Sequence, residues 1–205
     1  LNEQALNITA AVYGKNHPFY AQSLGNLGVN YADLGNYARS NELNEQALNI
    51  IETLYGKNHS DYIIRLNNLA MSYYFSGNYS KSKELIEQCL KIRETLYGKN
   101  QPHYATNLHN LAANYSYLGN YEKSKELNEQ ALNIIETLYG KTHVDYAISL
   151  NNLAGNYSEL GNYTKSKELH EQALNIIETL YGKEHPTYSF SLNNLVYDNT
   201  IMGNY

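Results

Sequence analysis

Histidine is the residue that most suggests chemistry in this 205-residue chain, because four of its seven copies recur in register. His17, His59, His143 and His185 are separated by multiples of 42 residues, and Gln101 occupies the remaining register. Zinc requires nitrogen ligands about 2 Å away, whereas matching positions on stacked helices lie about 8–10 Å apart. The pattern therefore predicts helix caps, and we expect no bound metal and no cofactor.

No other catalytic motif accompanies these histidines. The chain lacks His-Glu-x-x-His, paired cysteines and a glycine-rich phosphate loop. Cys89, the single cysteine, stands where other copies have alanine, which predicts a buried, inert thiol in a reducing compartment. The net charge of −5 lacks the positive field that nucleic acid requires, and no apolar run reaches the ~18 residues of a membrane span. We therefore expect a cytoplasmic protein that is not an enzyme and binds neither nucleic acid nor membrane.

Asparagine offers the binding chemistry that histidine does not. One register is asparagine in all five copies, while its neighbours vary. A side-chain amide has two donors and two acceptors, so a row of amides could hold the backbone of an extended peptide. The same amides could instead bond an adjacent helix and stabilise stacking, and the sequence leaves both readings open. The first row is Asn26, Asn68, Asn110, Asn152 and Asn194; a second row at its flank is Asn67, Asn151 and Asn193, with His109 and Gly25 substituting.

Large apolar side chains share the stripe of the first asparagine row. They are unexpected opposite a core-facing surface unless they contact a neighbour or a partner. The stripe carries Asp33 and Glu159 but no lysine or arginine. We therefore predict a partner segment that is extended, neutral or mildly basic, and supplied with apolar anchors. The predicted anchor contacts are Ile64, Met71, Phe75, Tyr117 and Ile148.

The elements that must position these residues form a repeat. Tyr-Gly and Gly-Asn-Tyr each recur five times at steps of 42 residues, without insertion or deletion. Each copy reads as two helices, because apolar residues fall at helical spacing on both sides of Gly-Asn-Tyr. Leu66, Leu69, Ala70 and Tyr73 make the core face of one first helix, and Gly77 ends that helix.

The repeat phase predicts one solenoid over 1–205 with incomplete copies at both ends, as in a fragment of a longer array. Such an array could also associate with itself through its exposed terminal repeats. The predicted segments are a second helix over 1–14, full repeats over 17–56, 59–98, 101–140 and 143–182, and a first helix over 185–203.

Small residues at fixed offsets from Gly-Asn-Tyr, such as Ser82 and Cys89, give the unit a known signature. The chain resembles the tetratricopeptide repeat, and the 42-residue unit with Leu-Asn-Asn-Leu-Ala and Tyr-Gly-Lys is similar to the kinesin light chain subtype. The resemblance implies an all-α, right-handed superhelical solenoid of antiparallel helix pairs. It also implies a non-catalytic adaptor that binds an extended peptide or partner segment in a concave groove. The alternative is a sensor or regulatory arm of a larger signalling ATPase or protease-like protein.

Overall fold

The computed structural model describes residues 2–203, so residue 1 and residues 204–205 of the predicted 1–205 array lie outside the described residues. Within that range the chain forms ten α-helices and no strand. The helices are α1 (Asn2–Tyr13), α2 (Pro18–Asp33), α3 (Tyr37–Tyr55), α4 (Ser60–Phe75), α5 (Tyr79–Tyr97), α6 (Pro102–Tyr117), α7 (Tyr121–Tyr139), α8 (Val144–Glu159), α9 (Tyr163–Tyr181) and α10 (Pro186–Ile201).

The helix boundaries follow from the punctuation of the repeat. Each first helix has 16 residues, as in α4, and each complete second helix has 19, as in α7. Asn120 begins α7 by accepting a hydrogen bond from the backbone N–H of Lys123 at 3.1 Å. Gly140 ends α7 with φ at 78°, a left-handed conformation that residues with a side chain rarely adopt.

The first compact unit, Leu1–Leu96, contains α1 to α4 and nearly all of α5. Helices α1, α2, α3 and α4 pack against one another in chain order, and the first helices α2 and α4 also adjoin. Cys89 on α5 faces α4, where its Sγ lies 3.8 Å from the carbonyl oxygen of Ile63. The core of this unit is a layer of leucine and alanine between the helices, including fully buried Ala21, Ala47 and Ala70.

The second compact unit, Tyr97–Tyr205, contains α6 to α10 in its described part. Consecutive helices pack together, and the first helices α6, α8 and α10 adjoin in sequence. Short loops join the helices of each pair, so neighbours run antiparallel. The predicted all-α fold of antiparallel helix pairs is confirmed. None of the described helices is both long enough and apolar enough to cross a membrane.

Candidate functional site

The first helices present one stripe of side chains away from the cores of both units. On α2 and α4 none of the stripe residues is buried: Asn26, Ile64 and Phe75 are exposed, and Asn68 and Met71 are half-buried. The stripes of α6, α8 and α10 lie on adjoining helices of the second unit, and we call them the first-helix wall. The wall consists of Thr106, Asn110, Ala113 and Tyr117 on α6, Ile148, Asn152, Gly155 and Glu159 on α8, and Phe190, Asn194, Tyr197 and Ile201 on α10.

Two clefts open on the wall between α6 and α8. The apolar cleft, near the start of both helices, has a volume of about 300 Å³ and includes Ile135 and Ile148. The central cleft, near their ends, has a volume of about 380 Å³ and includes Tyr117. Asn110 and Asn152 line both clefts. The structure thus brings these two predicted amides together at the boundary between the two depressions.

A third cleft, the outer cleft, opens between α8 and α10 with a volume of about 330 Å³. Asn194 and Tyr197 line it from α10, and Gly155 and Glu159 line it from α8. Gly155 and Glu159 also line the central cleft. The two depressions therefore meet on α8 at this glycine and glutamate.

The predicted apolar anchors keep much of their surface open to solvent. Ile148 is 45% exposed and Tyr117 is 61% exposed in the second unit. In the first unit Ile64 is 43% exposed and Phe75 is 55% exposed, whereas Met71 is half-buried. An apolar side chain with this exposure can gain free energy when a partner covers it.

The second asparagine row contacts the next first helix along the chain. Asn151 Nδ2 donates a hydrogen bond to Ser191 Oγ at 3.2 Å. His109, in the same register, places Nε2 2.9 Å from Ser149 Oγ. These side chains link α8 to α10 and α6 to α8, so they hold first helices beside each other. Asn151 also lines the central and outer clefts.

Gly25 interrupts this second row at the place where the Arg65 side chain lies over α2. A Cβ built on Gly25 would collide with Nη1 of Arg65, which packs across α2 from α4. Burial lowers the pKa of the Arg65 guanidinium, although Asp61 opposes that shift. Between α2 and α4, the Arg65 side chain packed on Gly25 therefore takes the place of the amide contact found in the second unit. Asn67, in the same register, also interacts with other residues of the chain.

Beneath the wall lies a set of buried polar contacts that sequence reasoning missed. At the junction of α7 and α8, Asn156 Nδ2 donates to Ser124 Oγ at 2.7 Å. Asn128 Nδ2 donates to Asn156 Oδ1 at 2.5 Å, and His109 Nδ1 lies 2.7 Å from Asn128 Oδ1. Burial lowers the pKa of His109, although the contact with Asn128 opposes that shift. This network fixes the approach of α8 to the preceding helix pair.

The matching registers hold different residues at two further junctions, between α9 and α10 and between α3 and α4. Between α9 and α10, Ser166 Oγ donates to both Asp198 carboxylate oxygens at 3.0 and 2.9 Å, and His170 Nδ1 lies 2.6 Å from Asp198 Oδ2. The Asp198 side chain is fully buried and the His170 side chain is 6% exposed. The serine proton points to the aspartate, so this trio lacks the serine-to-histidine bond of a catalytic triad.

Between α3 and α4, the junction is built from smaller groups. Ser72 Oγ on α4 donates to Ser40 Oγ on α3 at 2.7 Å, while within α3 Asn44 Nδ2 donates to the Ser40 carbonyl at 3.0 Å. A sequence signal for these contacts exists, because one register of the first helices is polar in every copy. That register is Asn30, Ser72, Asn114, Asn156 and Asp198.

The recurrent histidines are helix caps, as predicted. His59 Nδ1 accepts a hydrogen bond from the Asp61 backbone N–H at 3.1 Å, and the His59 ring stacks on Tyr55 at 4.4 Å between centroids. His17, His143 and His185 cap their helices in the same way, whereas Gln101 makes no side-chain cap bond. Residues 2–203 hold no group of three or more potential metal ligands.

Cys89 is a free, buried thiol in the first unit, as the sequence predicts. Burial raises its pKa to about 12, although Arg93 opposes that shift. The reactive thiolate form is therefore suppressed at neutral pH. Cys89 thus packs the interior of its helix pair.

The first-helix wall differs in charge from the second helices behind it. Helices α6, α8 and α10 contain no lysine or arginine. All seven glutamates of α7 and α9 engage a lysine or a tyrosine hydroxyl, as in Lys123–Glu126 at 2.7 Å. Glu159 makes no ion pair with any residue in the described range 2–203. The wall therefore presents an exposed carboxylate without a cation to neutralise it.

Comparison with known proteins assigns the repeat. A family model described as Tetratricopeptide repeat matches residues 1–53, 30–95, 62–137, 103–178 and 145–205, which together span the chain. A comparison with curated proteins gives no match. Proteins built from such repeats are generally non-catalytic scaffolds, typical of protein–protein interaction.

Solved structures show the same architecture. A Podosopora anserina protein, assigned as kinesin light chain with nearly identical TPR-like repeats, aligns at a TM-score of 0.78 and 26% identity, covering 91% of this chain and 89% of that one. A variant of that protein aligns at 0.79 with the same identity, covering 91% and 88%. BtubC (BKLC) from P. vanneervenii aligns at 0.81 with 22% identity, covering 99% and 80%.

Proposed function

We propose that this chain, which belongs to the tetratricopeptide repeat family, is a non-catalytic scaffold that binds an extended partner segment along its first helices. The role is that of an adaptor similar to kinesin light chain. The single observation that carries the proposal is the position of Asn110 and Asn152, which line both clefts between α6 and α8. The buried thiol of Cys89 is compatible with a reducing, cytoplasmic location.

The amides supply the backbone contacts in this proposal. Asn152 is exposed and Asn110 is half-buried, so both can reach a bound chain. Each amide can accept from a peptide N–H and donate to a peptide C=O without regard to sequence. The exposed apolar residues on the same stripe select side chains. The proposed contact set is Asn26, Asn68, Asn110, Asn152, Asn194, Asn67, Asn151, Ile64, Met71, Phe75, Tyr117 and Ile148.

A folded helical array limits the entropic cost of binding. The helix pairs are already packed, so the partner loses most of the conformational freedom. The acidic character of the wall favours a neutral or mildly basic segment over an acidic one. Apolar anchors of that segment would occupy the cleft containing Ile135 and Ile148.

The test compares two sets of asparagine substitutions. Peptides are selected from a displayed library of unstructured sequences, and their affinities are measured by calorimetry. Changing Asn68, Asn110 and Asn152 to alanine together should weaken binding at least about tenfold, since each amide loses hydrogen bonds worth about 1 kcal/mol. The matched control changes three exposed asparagines of the second helices to alanine: Asn49, Asn133 and Asn175.

Three outcomes decide the proposal. Loss of affinity in the wall variant alone, with helicity preserved in circular dichroism, supports amide recognition at the wall. Equal affinity in the wall variant, the control and the parent rejects it. Tighter binding of acidic peptides than of neutral peptides rejects the predicted partner chemistry.

A further inference from the structure

Gly155 makes a notch in the first-helix wall. It replaces the side chains found in the same register of the neighbouring helices, Ala113 on α6 and Tyr197 on α10. A Cβ built on Gly155 would meet no heavy atom within 4 Å. The glycine is therefore not required by packing, and its effect is to join the central cleft to the outer cleft.

The residues around this notch combine one carboxylate with two aromatic rings. Glu159 lies one turn beyond Gly155 on α8 and lines both clefts. Tyr117 on one side and Tyr197 on the other are 61% and 62% exposed. Tyrosine faces attract cations, and a carboxylate pairs with a guanidinium through two parallel hydrogen bonds.

We propose that the notch at Gly155 and Glu159 receives an arginine side chain of the bound partner segment. The planar guanidinium can pair with Glu159 and stack on a tyrosine at once, which a lysine ammonium does less well. Charge complementarity supports this occupant, since helices α6, α8 and α10 contribute no cation of their own. The inference rests on the proposed function and specifies the partner's chemistry.

The geometry also sets the distance from this arginine to an apolar anchor. Ile148, in the apolar cleft, precedes Glu159 by eleven positions on the same helix. At a rise of 1.5 Å per residue the two positions are about 16 Å apart along α8. An extended chain covers about 3.3 Å per residue, so the arginine and the anchor stand about five residues apart. Asn110 and Asn152 lie between them, beside the connecting backbone.

The experiment uses defined peptide probes on the full chain. The reference probe is a capped, extended peptide of alanine, serine and glycine with one arginine and one leucine about five residues apart. A matched probe carries citrulline, which keeps the shape of arginine without its charge, and a third moves the leucine next to the arginine. Affinities are measured by fluorescence anisotropy with labelled peptides at low salt, since exposed charge pairs weaken with ionic strength.

Three protein variants complete the test. Glu159→Gln removes the charge and keeps the shape, while Gly155→Met fills the notch. Since space is open around Gly155 and methionine favours helix over glycine, the second variant should fold at least as well as the parent. Glu126→Gln is the control, because it makes the same charge change on α7, where Glu126 pairs with Lys123.

The arginine probe should bind the parent, and it should bind Glu159→Gln and Gly155→Met about tenfold more weakly. Its affinity for Glu126→Gln should equal its affinity for the parent. The citrulline probe should bind the parent about tenfold more weakly than the arginine probe does. Changing Glu159 to glutamine should not reduce the affinity of the citrulline probe any further. Equal binding of arginine and citrulline probes overturns the inference, as does an equal effect of Glu126→Gln. Failure of the arginine probe to bind the parent at about 1 mM also overturns it. If the asparagine variant still loses affinity for library peptides while arginine discrimination is absent, only this inference fails.

Discussion

The buried trio of Ser166, His170 and Asp198 gives a sharp test of what holds α10 in place. The Asp198 side chain is fully buried. It accepts a hydrogen bond from Ser166 Oγ and contacts His170 Nδ1. In Asp198→Ala both partners lose this acceptor while they remain away from solvent. A buried polar group left unsatisfied costs about 1–3 kcal/mol. We therefore expect the substitution to weaken α10 docking by about 3 kcal/mol, or about a hundredfold in the opening equilibrium.

Hydrogen exchange is the appropriate measurement, because repeat arrays open locally rather than as a whole. Backbone amides of α10 should exchange about a hundred times faster in Asp198→Ala. The amides of α7 serve as an internal control, because the polar contacts of its junction with α8 are unaltered, whereas α8 itself contacts α10. Unchanged protection of α10 in Asp198→Ala would refute the reasoning.

A second variant separates loss of the polar contact from general damage. The junction of α7 and α8 uses Asn128 and Asn156 at the registers of His170 and Asp198. The double change His170→Asn with Asp198→Asn should therefore recover protection to within about 1 kcal/mol of the parent. Each single change should be less stable than the pair. A double variant that sums the two single losses would show that the residues act independently.

Three further predictions concern other parts of the chain. Burial lowers the pKa of His109, so the unfolded state takes up a proton at higher pH than the folded state, and stability should fall as pH drops below about 6.5. Thermal melts across pH should show a smaller fall in stability for His109→Asn than for the parent. An identical pH profile for the two proteins would contradict this prediction. Gln101 makes no side-chain cap, so Gln101→Ser should raise the free energy of unfolding by about 1 kcal/mol in denaturant titration, whereas no gain would count against the capping argument. The Cys89 thiol has its pKa raised to about 12 by burial, so a thiol reagent should react with it far faster in denaturant than in buffer; rapid native labelling would exclude the buried position.

The sequence is sufficient to predict the helix boundaries, because the residues that begin and end each helix act on the adjacent backbone. Gly-Asn-Tyr supplies both a left-handed glycine and an asparagine cap, so the boundary between paired helices can be read from three residues. The capping role of His59 also depends only on adjacent backbone, and the structure confirms it. Exact periodicity then extends each local reading to the other copies.

The candidate site was less predictable because it depends on contacts across copies. A helical wheel places Asn152 and Glu159 on one stripe but cannot show which depressions they line. The role of Asn151 toward Ser191 requires the spacing of two first helices, which is set by packing beneath them. The notch at Gly155 was invisible for a similar reason, since glycine in a repeat first suggests punctuation. The polar register ending at Asp198 did carry a signal, in its unbroken polarity beside a core face.

The unequal polar junctions also restrict how such a gene can rearrange. Because every block has the same length of 42 residues, recombination could duplicate or move one copy without disturbing the repeat step. Moving the block with Asp198 behind the one that holds Asn44 would bury a carboxylate beside an amide and a serine, with no histidine to meet it. An unpaired buried charge costs several kcal/mol. The buried polar residues at each junction therefore match their present neighbours, and this favours the existing order of the repeats over a rearranged one.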